Sequence, residues 1–123
     1  MLVTIESVEE MDDEHRWLGY KVVMSDPRKN VTCKISNDRL CCEQYGAHVD
    51  VPLVTFVGAQ YLSVATEEHP TERAHGEDCG ARFIVRIHTD RGTITMTLYN
   101  EHNGYYTHEF FIETEHGMNQ KDL

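Results

Sequence analysis

The segment 100–106 has residue types that suit the rim of a small-ligand site. Tyrosine offers a stacking face and a hydroxyl, and asparagine offers paired hydrogen-bond donors and acceptors. The same segment contains Asn103-Gly104, a dipeptide typical of a tight hairpin turn, so a turn with packed aromatic residues is the alternative interpretation. The residues predicted here to contact a ligand are Asn100, His102, Asn103, Tyr105 and Tyr106.

A second candidate is the pair of adjacent cysteines Cys41 and Cys42, followed by Glu43. Neighbouring side chains on an extended chain point to opposite faces, so one thiol is expected in the core and the other nearer the surface. Adjacent thiols make poorer joint zinc ligands than the Cys-x-x-Cys spacing. We predict Cys42 and Glu43 as ligand-contacting residues, with buried structural cysteines as the alternative.

A third candidate is a metal site at His69, His75 and Cys79, whose side chains are of the kind that bind zinc. The usual close-spaced ligand pairs are missing, and a chain with eight histidines produces such groupings easily. No cofactor is therefore expected, and zinc is the alternative.

Motifs of the common catalytic sites are missing from the sequence. It has no Gly-x-Ser-x-Gly elbow, phosphate loop, His-Glu-x-x-His motif or dinucleotide fingerprint. A catalytic Cys–His pair could be formed by Cys42 with His48 or His102, but the sequence does not give the distance between these residues. We predict no catalytic residues and favour a binding protein over an enzyme.

Negative charge is the strongest compositional feature, with 21 Asp and Glu against 11 Lys and Arg and a net charge of −10 over 123 residues. This balance disfavours nucleic acid and anionic membranes as partners and favours a basic protein surface. The alternative is that the charge only keeps the protein soluble. The acidic residues predicted to contact a partner are Glu9, Glu10, Asp12, Asp13, Glu14, Glu67, Glu68, Glu72, Glu77 and Asp78.

Alternating apolar and polar residues predict that half-buried antiparallel strands position these candidates. The alternation covers residues 18–24, 31–36, 83–88 and 93–99. Turn-forming residues at 25–30 and 90–92 join these strands into two hairpins. One helical turn is predicted between the hairpins, capped by Asp50, with Pro52 near its start and Gly58 at its end. Its apolar face comprises Leu53, Phe56 and Val57.

Each hairpin follows a similar strand and an acidic loop, which indicates internal duplication of units at about residues 2–48 and 58–113. Chance similarity between two β-meanders is the alternative. The predicted fold class is mostly β: an antiparallel sheet, or a small barrel or sandwich, built from two three-strand meander units with one short helix between them. We expect one domain over residues 1–123, an exposed acidic loop at 67–80 and a flexible tail at 117–123.

The first ten residues have neither a basic stretch nor a continuous apolar stretch, so we expect no signal peptide. No apolar run approaches the roughly 20 residues of a membrane span. The four cysteines are expected to be reduced, in a cytoplasmic compartment.

The motifs Cys41-Cys42-Glu43 and Asn103-Gly104-Tyr105-Tyr106 resemble those of an uncharacterised domain family found largely in phages and other large DNA viruses. Its members carry an Asp-Cys-Cys-Glu-like motif and a later Asn-Gly-Tyr-Tyr motif, and the resemblance covers about residues 3–113. Leu40 stands where the family often has aspartate. The resemblance implies a small viral accessory protein acting in the host cytoplasm as an inhibitor of a host system.

Four hypotheses follow from these patterns. The favoured one is a non-enzymatic protein whose acidic surface masks a basic host protein. The second is a protein that sequesters a small anionic, nucleotide-like ligand. Positive charge for that ligand is available from Arg28, Arg82, Arg86 and Arg91. The third is a metal-binding protein or hydrolase, and the fourth is a particle component that self-associates, for example as a homodimer, through sheet edges.

Overall fold

The computed structural model describes residues 2–12, 16–37, 45–69, 81–100 and 109–122. Its strands are β1 Ile5–Asp12, β2 Trp17–Met24, β3 Val31–Ser36, β4 Tyr45–Val49, β5 Tyr61–His69, β6 Ala81–Thr89, β7 Gly92–Asn100, β8 Glu109–Thr114 and β9 Gly117–Asp122. Single 3-10 turns lie at Pro27–Lys29 and Leu53–Phe56. The mostly β prediction is therefore confirmed. Within the described ranges, no helix has the length and apolar character needed to cross a membrane.

The strands form two antiparallel sheets that exchange one strand each. One sheet has the order β1-β2-β3-β8-β9, and the other has the order β4-β7-β6-β5. The first meander, β1-β2-β3, thus pairs with β8 from the second half, and the second meander, β5-β6-β7, pairs with β4 from the first half. The outcome is a sandwich of two sheets rather than a closed barrel.

The core lies between the two sheets because alternate residues of each strand point inward. In β3 and β7 the inward residues are fully buried, as the alternation predicts. Phe83 of one sheet contacts Phe110 of the other, with ring centroids 5.0 Å apart. These buried side chains come from both halves of the chain: Val31, Cys33, Ile35, Ile94, Met96 and Leu98.

Both halves repeat the same strand register. Ile5 pairs with Met24 at the end of the first hairpin, and Tyr61 pairs with Thr89 at the end of the second. Each of these strands then has an irregularity before its next pair, at Ser7 and at Ser63 respectively. A bulge bends a strand and increases its twist. The bent starts of β1 and β5 meet in an isolated bridge between Thr4 and Gln60.

The two predicted hairpin turns are present. Asp26 caps the first, accepting a hydrogen bond from the Arg28 amide at 3.0 Å. Thr89 pairs directly with Gly92 across the second, which leaves Asp90 and Arg91 as a two-residue turn. Local side-chain hydrogen bonding and glycine therefore set both turns, as the sequence indicates.

The predicted helical turn is shorter and is built differently from the prediction. It is a four-residue 3-10 turn without a side-chain cap, because the Asp50 carboxylate accepts a hydrogen bond from the Thr95 amide of β7 at 2.9 Å. Leu53 and Phe56 are buried, but Val57 is 39% exposed. The tighter 3-10 winding aligns residues three apart, so the third predicted apolar residue leaves the shared face.

Two segments predicted to be irregular are strands. Glu67, Glu68 and His69 complete β5 rather than beginning a loop, because they pair with β6 from Ile84 back to Arg82. The segment predicted as a flexible tail forms β9, which pairs with β8 along Gly117–Asp122. Backbone hydrogen bonds with the neighbouring strand hold both segments. Such bonds require no alternation of apolar residues, so the sequence pattern does not predict these strands.

We predict that Gly19→Ala destabilises the protein by about 3 kcal/mol, a cost typical of overpacking a rigid site. A Cβ on Gly19 would lie 2.0 Å from the Cys33 carbonyl oxygen and 2.6 Å from the Lys34 Cα. Urea unfolding measures the change. The control is Gly46→Ala, whose Cβ would meet the movable Tyr99 hydroxyl at 2.9 Å. Equal losses for the two variants would contradict the prediction.

The turn between β8 and β9 is joined to the first hairpin by an ion pair between Lys29 and Glu115. Hydrogen bonding from Lys29 lowers the pKa of Glu115 below its ordinary 4.5. The same ammonium lies 5.8 Å from the centroid of the Tyr61 ring. The pair therefore fixes the β8–β9 turn beside the start of β5.

We predict that Glu115→Gln lowers stability at neutral pH but has little effect in acid. A lowered folded-state pKa gives stability that is present above the unfolded value and is lost as pH falls through the folded value. The free energy of unfolding, measured against pH, should show the two proteins converging as the pH falls below the ordinary value of 4.5 and through the lowered pKa of Glu115. Lys29→Met should cause the same loss, and the double variant should not add to it. A difference that persists in acid would contradict this origin.

Candidate functional site

The predicted site segments all adjoin strand ends at one end of the sandwich. Tyr45, at the start of β4, pairs with Asn100, at the end of β7, which also pairs with Ala81, at the start of β6. In the other sheet, Asp12 pairs with Leu18 at the corresponding end. The predicted site residues that lie outside the described residues are Asp13, Glu14, Cys42, Glu43, Glu72, His75, Glu77, Asp78, Cys79, His102, Asn103, Tyr105 and Tyr106.

Asn100, predicted as a ligand-contacting residue, is buried where β7 ends. The register makes Asn37 its counterpart in the first half, and the two residues are 6% (Asn37) and 5% (Asn100) exposed. The Tyr45 hydroxyl donates a hydrogen bond to the Asn37 Oδ1 at 2.6 Å. The two asparagines thus lie at the buried ends of the inner strands β3 and β7.

Three tyrosines and two carboxylates surround a cavity of about 210 Å³ at this end, here called the tyrosine pocket. Tyr20 comes from β2, Tyr45 from β4 and Tyr99 from β7, while Glu10 and Asp12 come from β1. Aromatic faces combined with carboxylates suit an ammonium or guanidinium group. The pocket is therefore chemically matched to a cation, such as a lysine or arginine side chain.

Hydrogen bonding and close packing hold the tyrosine pocket in shape. Burial, and then the nearby Glu10 carboxylate, raises the pKa of Tyr20, so its hydroxyl stays protonated. That hydroxyl donates to the Ala47 carbonyl oxygen at 3.4 Å and so links the two sheets. Gly46 leaves room for the Tyr99 hydroxyl against β4, where any Cβ would lie 2.9 Å from it.

The tyrosine pocket continues into an apolar groove of about 380 Å³ between β1 and the β4 region. Val8, Glu9 and Glu10 line one wall of the groove, and Tyr20 lies in it as well as in the pocket. The opposite wall comprises Val49, Val51, Pro52, Leu53 and Val54. We call the pocket and groove together the β1–β4 cleft.

One side of the β1–β4 cleft is the outer edge of β4. Among the described residues, β4 pairs only with β7. The Asp50 amide donates to the Thr95 carbonyl of β7 at 3.1 Å, and Ala47 accepts from Tyr20 on the other side. Since backbone groups alternate along an antiparallel strand, those of Ala47 and Val49 face the cleft. The Ala47 amide and the backbone groups of Val49 are placed to pair with an added strand, while the Ala47 carbonyl oxygen already accepts from Tyr20.

The described acidic residues fall into two groups on different sheets. Glu9, Glu10 and Asp12 are exposed on β1, which borders the cleft. Glu67 and Glu68 are exposed on β5, three strand positions away from β4 in the order β4-β7-β6-β5, or about 14 Å. The structure therefore brings the β1 acids to the cleft and leaves the β5 acids elsewhere.

A shallow second pocket of about 280 Å³ lies on the outer face of the β4-β7-β6-β5 sheet. It is lined by His48, Arg82, Thr97 and Tyr99. The other arginines considered in the sequence have structural partners: Arg28 pairs with Asp26, Arg86 with Glu67, and Arg91 donates to the carbonyls of Thr55 and Val57. Arg82 is exposed beside hydroxyl and imidazole groups, a combination that suits an anion.

A family model for the domain of unknown function DUF7448 matches residues 2–112. The chain belongs to the DUF7448 family. No curated protein and no solved structure matches the chain. The match covers both halves and all strands from β1 to most of β8, so the strand exchange lies within the family's domain.

Metal-ligating and thiol groups do not converge in the described part of this DUF7448 domain. No group of three or more His, Cys, Asp or Glu side chains there could hold a metal ion. His69 ends β5, whereas the other two predicted zinc ligands lie outside the described residues. Burial raises the pKa of Cys33, which is a free core thiol and hence a poor nucleophile.

Sequence reasoning missed most of the β1–β4 cleft of the DUF7448 domain. In the sequence, Tyr20 and Tyr99 fit the alternating pattern of predicted strands and show no other signal. Tyr45 follows the cysteine motif closely, but no role is predicted for it. The pairing of β4 with β7 brings Tyr45 beside Tyr99, and the contact between the two sheets at Ala47 brings Tyr20 to them. The acidic charge of Glu10 and Asp12 was the one signal that marked this wall of the site.

Proposed function

We propose that this protein is a non-enzymatic binding module that masks a basic partner protein through the β1–β4 cleft. The observation that carries the proposal is the tyrosine pocket, a cavity that Tyr20, Tyr45, Tyr99, Glu10 and Asp12 all line. An arginine or lysine of the partner fits this chemistry. The exposed Glu9 and Glu10 along β1 supply longer-range attraction.

The overall charge supports the same choice of partner. A net charge of −10 raises the encounter rate with a basic surface and repels polyanions. An acidic surface of this kind can cover the basic surface that a nucleic-acid-binding protein uses. The resemblance of the two sequence motifs to those of phage and viral proteins supports a host factor as the partner and inhibition in the host cytoplasm as the outcome.

We predict that reversing the charge of Glu9 and Glu10 (E9K, E10K) weakens partner binding about tenfold or more, since both carboxylates border the cleft. The immobilised protein captures partners from a bacterial lysate, and affinity is then measured with the purified captured protein. Binding should also weaken from about 0.1 M to about 1 M salt, as the Debye length falls from about 10 Å to about 3 Å.

The matched control reverses Glu67 and Glu68 on β5, which changes the charge equally but leaves the cleft intact. Its affinity should stay within about twofold of the unmodified protein. The proposal would be contradicted by an affinity that does not change with salt concentration, or by equal losses of affinity for the two pairs of substitutions.

A second candidate function is sequestration of a small anionic ligand, favoured by the outer-face pocket of His48, Arg82, Thr97 and Tyr99. The guanidinium would hold a phosphate, and the hydroxyls would add hydrogen bonds. The Tyr99 ring offers a stacking face for a base. In this reading, the pocket binds a nucleotide-like molecule without chemical change.

For this second function, we predict that millimolar nucleoside monophosphates raise the melting temperature and that Arg82→Ser abolishes the shift. Arg28→Ser is the control, because Arg28 belongs to a distant turn and pairs with Asp26. A thermal shift that survives Arg82→Ser, or no shift with any nucleotide, would exclude this function.

A further inference from the structure

The two halves of the protein differ in what lies beside their exchanged strands. Met96 of β7 and Cys33 of β3 occupy equivalent positions in the two halves. Met96 pairs with Val49 of β4, and Cys33 pairs with Ile112 of β8, so β4 is the counterpart of β8. The outer edge of β8 is paired with β9. Among the described residues, the outer edge of β4 is paired with no strand. One of two equivalent positions is therefore filled.

Burial of counterpart residues differs in the same sense. Val64 of β5 is 5% exposed, whereas Val8, its counterpart in β1, is only half-buried and lines the cleft. Ile112 of β8 is fully buried beside β9, whereas Val49 of β4 is half-buried. The first half thus exposes apolar side chains at the positions that the second half covers.

We propose that the β1–β4 cleft binds an extended segment of a basic partner protein, which adds as a strand along the outer edge of β4 at Ala47 and Val49. This inference rests on the proposed function and specifies its recognition mode. Strand addition to an open edge obtains affinity from backbone hydrogen bonds and specificity from alternate side chains. The backbone groups of Ala47 and Val49 face the added strand, as those of Phe110 and Ile112 face β9.

The direction of the segment and its side chains follow from the cleft. Because β9 runs antiparallel to β8, the added strand runs antiparallel to β4. It meets the apolar groove near Val49 first and reaches the tyrosine pocket near Tyr45 last. A strand presents alternate residues to one face, so every second residue of the added segment faces the cleft. The first two of these residues meet the groove and are apolar, and the third meets the pocket and is arginine or lysine.

Charge decides between a partner protein and a second copy of this chain. Two copies joined along β4 would bring together two acidic β1 walls, each with Glu9 and Glu10, in molecules of net charge −10. That arrangement is repulsive and leaves both tyrosine pockets without a cation. A basic segment instead fills the pocket and neutralises the wall.

The test is an NMR titration of the ¹⁵N-labelled protein with the capped heptapeptide Thr-Val-Thr-Val-Thr-Arg-Thr. Saturable shifts are expected at the amides of Ala47 and Val49 and on β1. A peptide of reversed order and a peptide with glutamate in place of arginine should each bind about tenfold more weakly. N-methylation of the peptide amides that face β4 should abolish binding, whereas methylation of the alternate amides should not.

Two outcomes would overturn the inference. One is the absence of saturable shifts at β4, or shifts that ignore peptide order. The other is concentration-dependent shifts of Ala47 and Val49 without peptide, which would show a second copy in the cleft. The peptide could fail to bind while partner capture is still weakened by salt and by reversing the charges of Glu9 and Glu10. In that case the proposed function is supported and strand addition is excluded. If both fail, the proposed function falls as well.

Discussion

Each half of this chain gives its fourth strand to the sheet of the other half, and the backbone hydrogen bonds of β4 with β7 and of β8 with β3 hold the sandwich together. Neither meander has its complete sheet without the other half. Inward side chains such as Met96 and Cys33 lie opposite an exchanged strand, so their burial depends on the exchange. Strand pairing and core packing therefore depend on each other in this fold.

The same exchange places the chemistry. Because all strands are antiparallel and the two halves share one register, the described strand ends that flank the cysteine, tyrosine and acidic motifs gather at one end of the molecule. The tyrosine pocket forms there because β4 brings Tyr45 and Gly46 beside Tyr99 and opposite Tyr20. The Tyr20 hydroxyl, kept protonated by burial beside Glu10, joins the two sheets at the same point. A structural bond between the sheets thus forms part of the pocket wall.

The sequence predicts what depends on local pattern. The alternation at residues 31–36 matches the bounds of β3, and Asp26 and Gly92 mark their turns, because period and turn chemistry are written in neighbouring residues. It does not predict β4, whose five residues show no clean alternation and whose partner lies about fifty residues away along the chain. The sequence predicts a loop at Glu67 and Glu68 for a related reason. They belong to an exposed edge strand, which needs few apolar residues and therefore lacks the pattern of a buried strand.

The register that the two halves share would by itself leave both equally open, and among the described strands β9 breaks that equality. It covers the outer edge of β8, and Ile112 there is buried, while Val8 and Val49 in the other half stay partly exposed. Open strand edges and exposed apolar grooves invite unwanted pairing, and charged residues are the usual protection. Here Glu9 and Glu10 on β1 supply negative charge beside the cleft, which would repel a second acidic copy and attract the basic strand proposed above. The charges that would protect the outer edge of β4 would therefore also select the strand that we propose binds there.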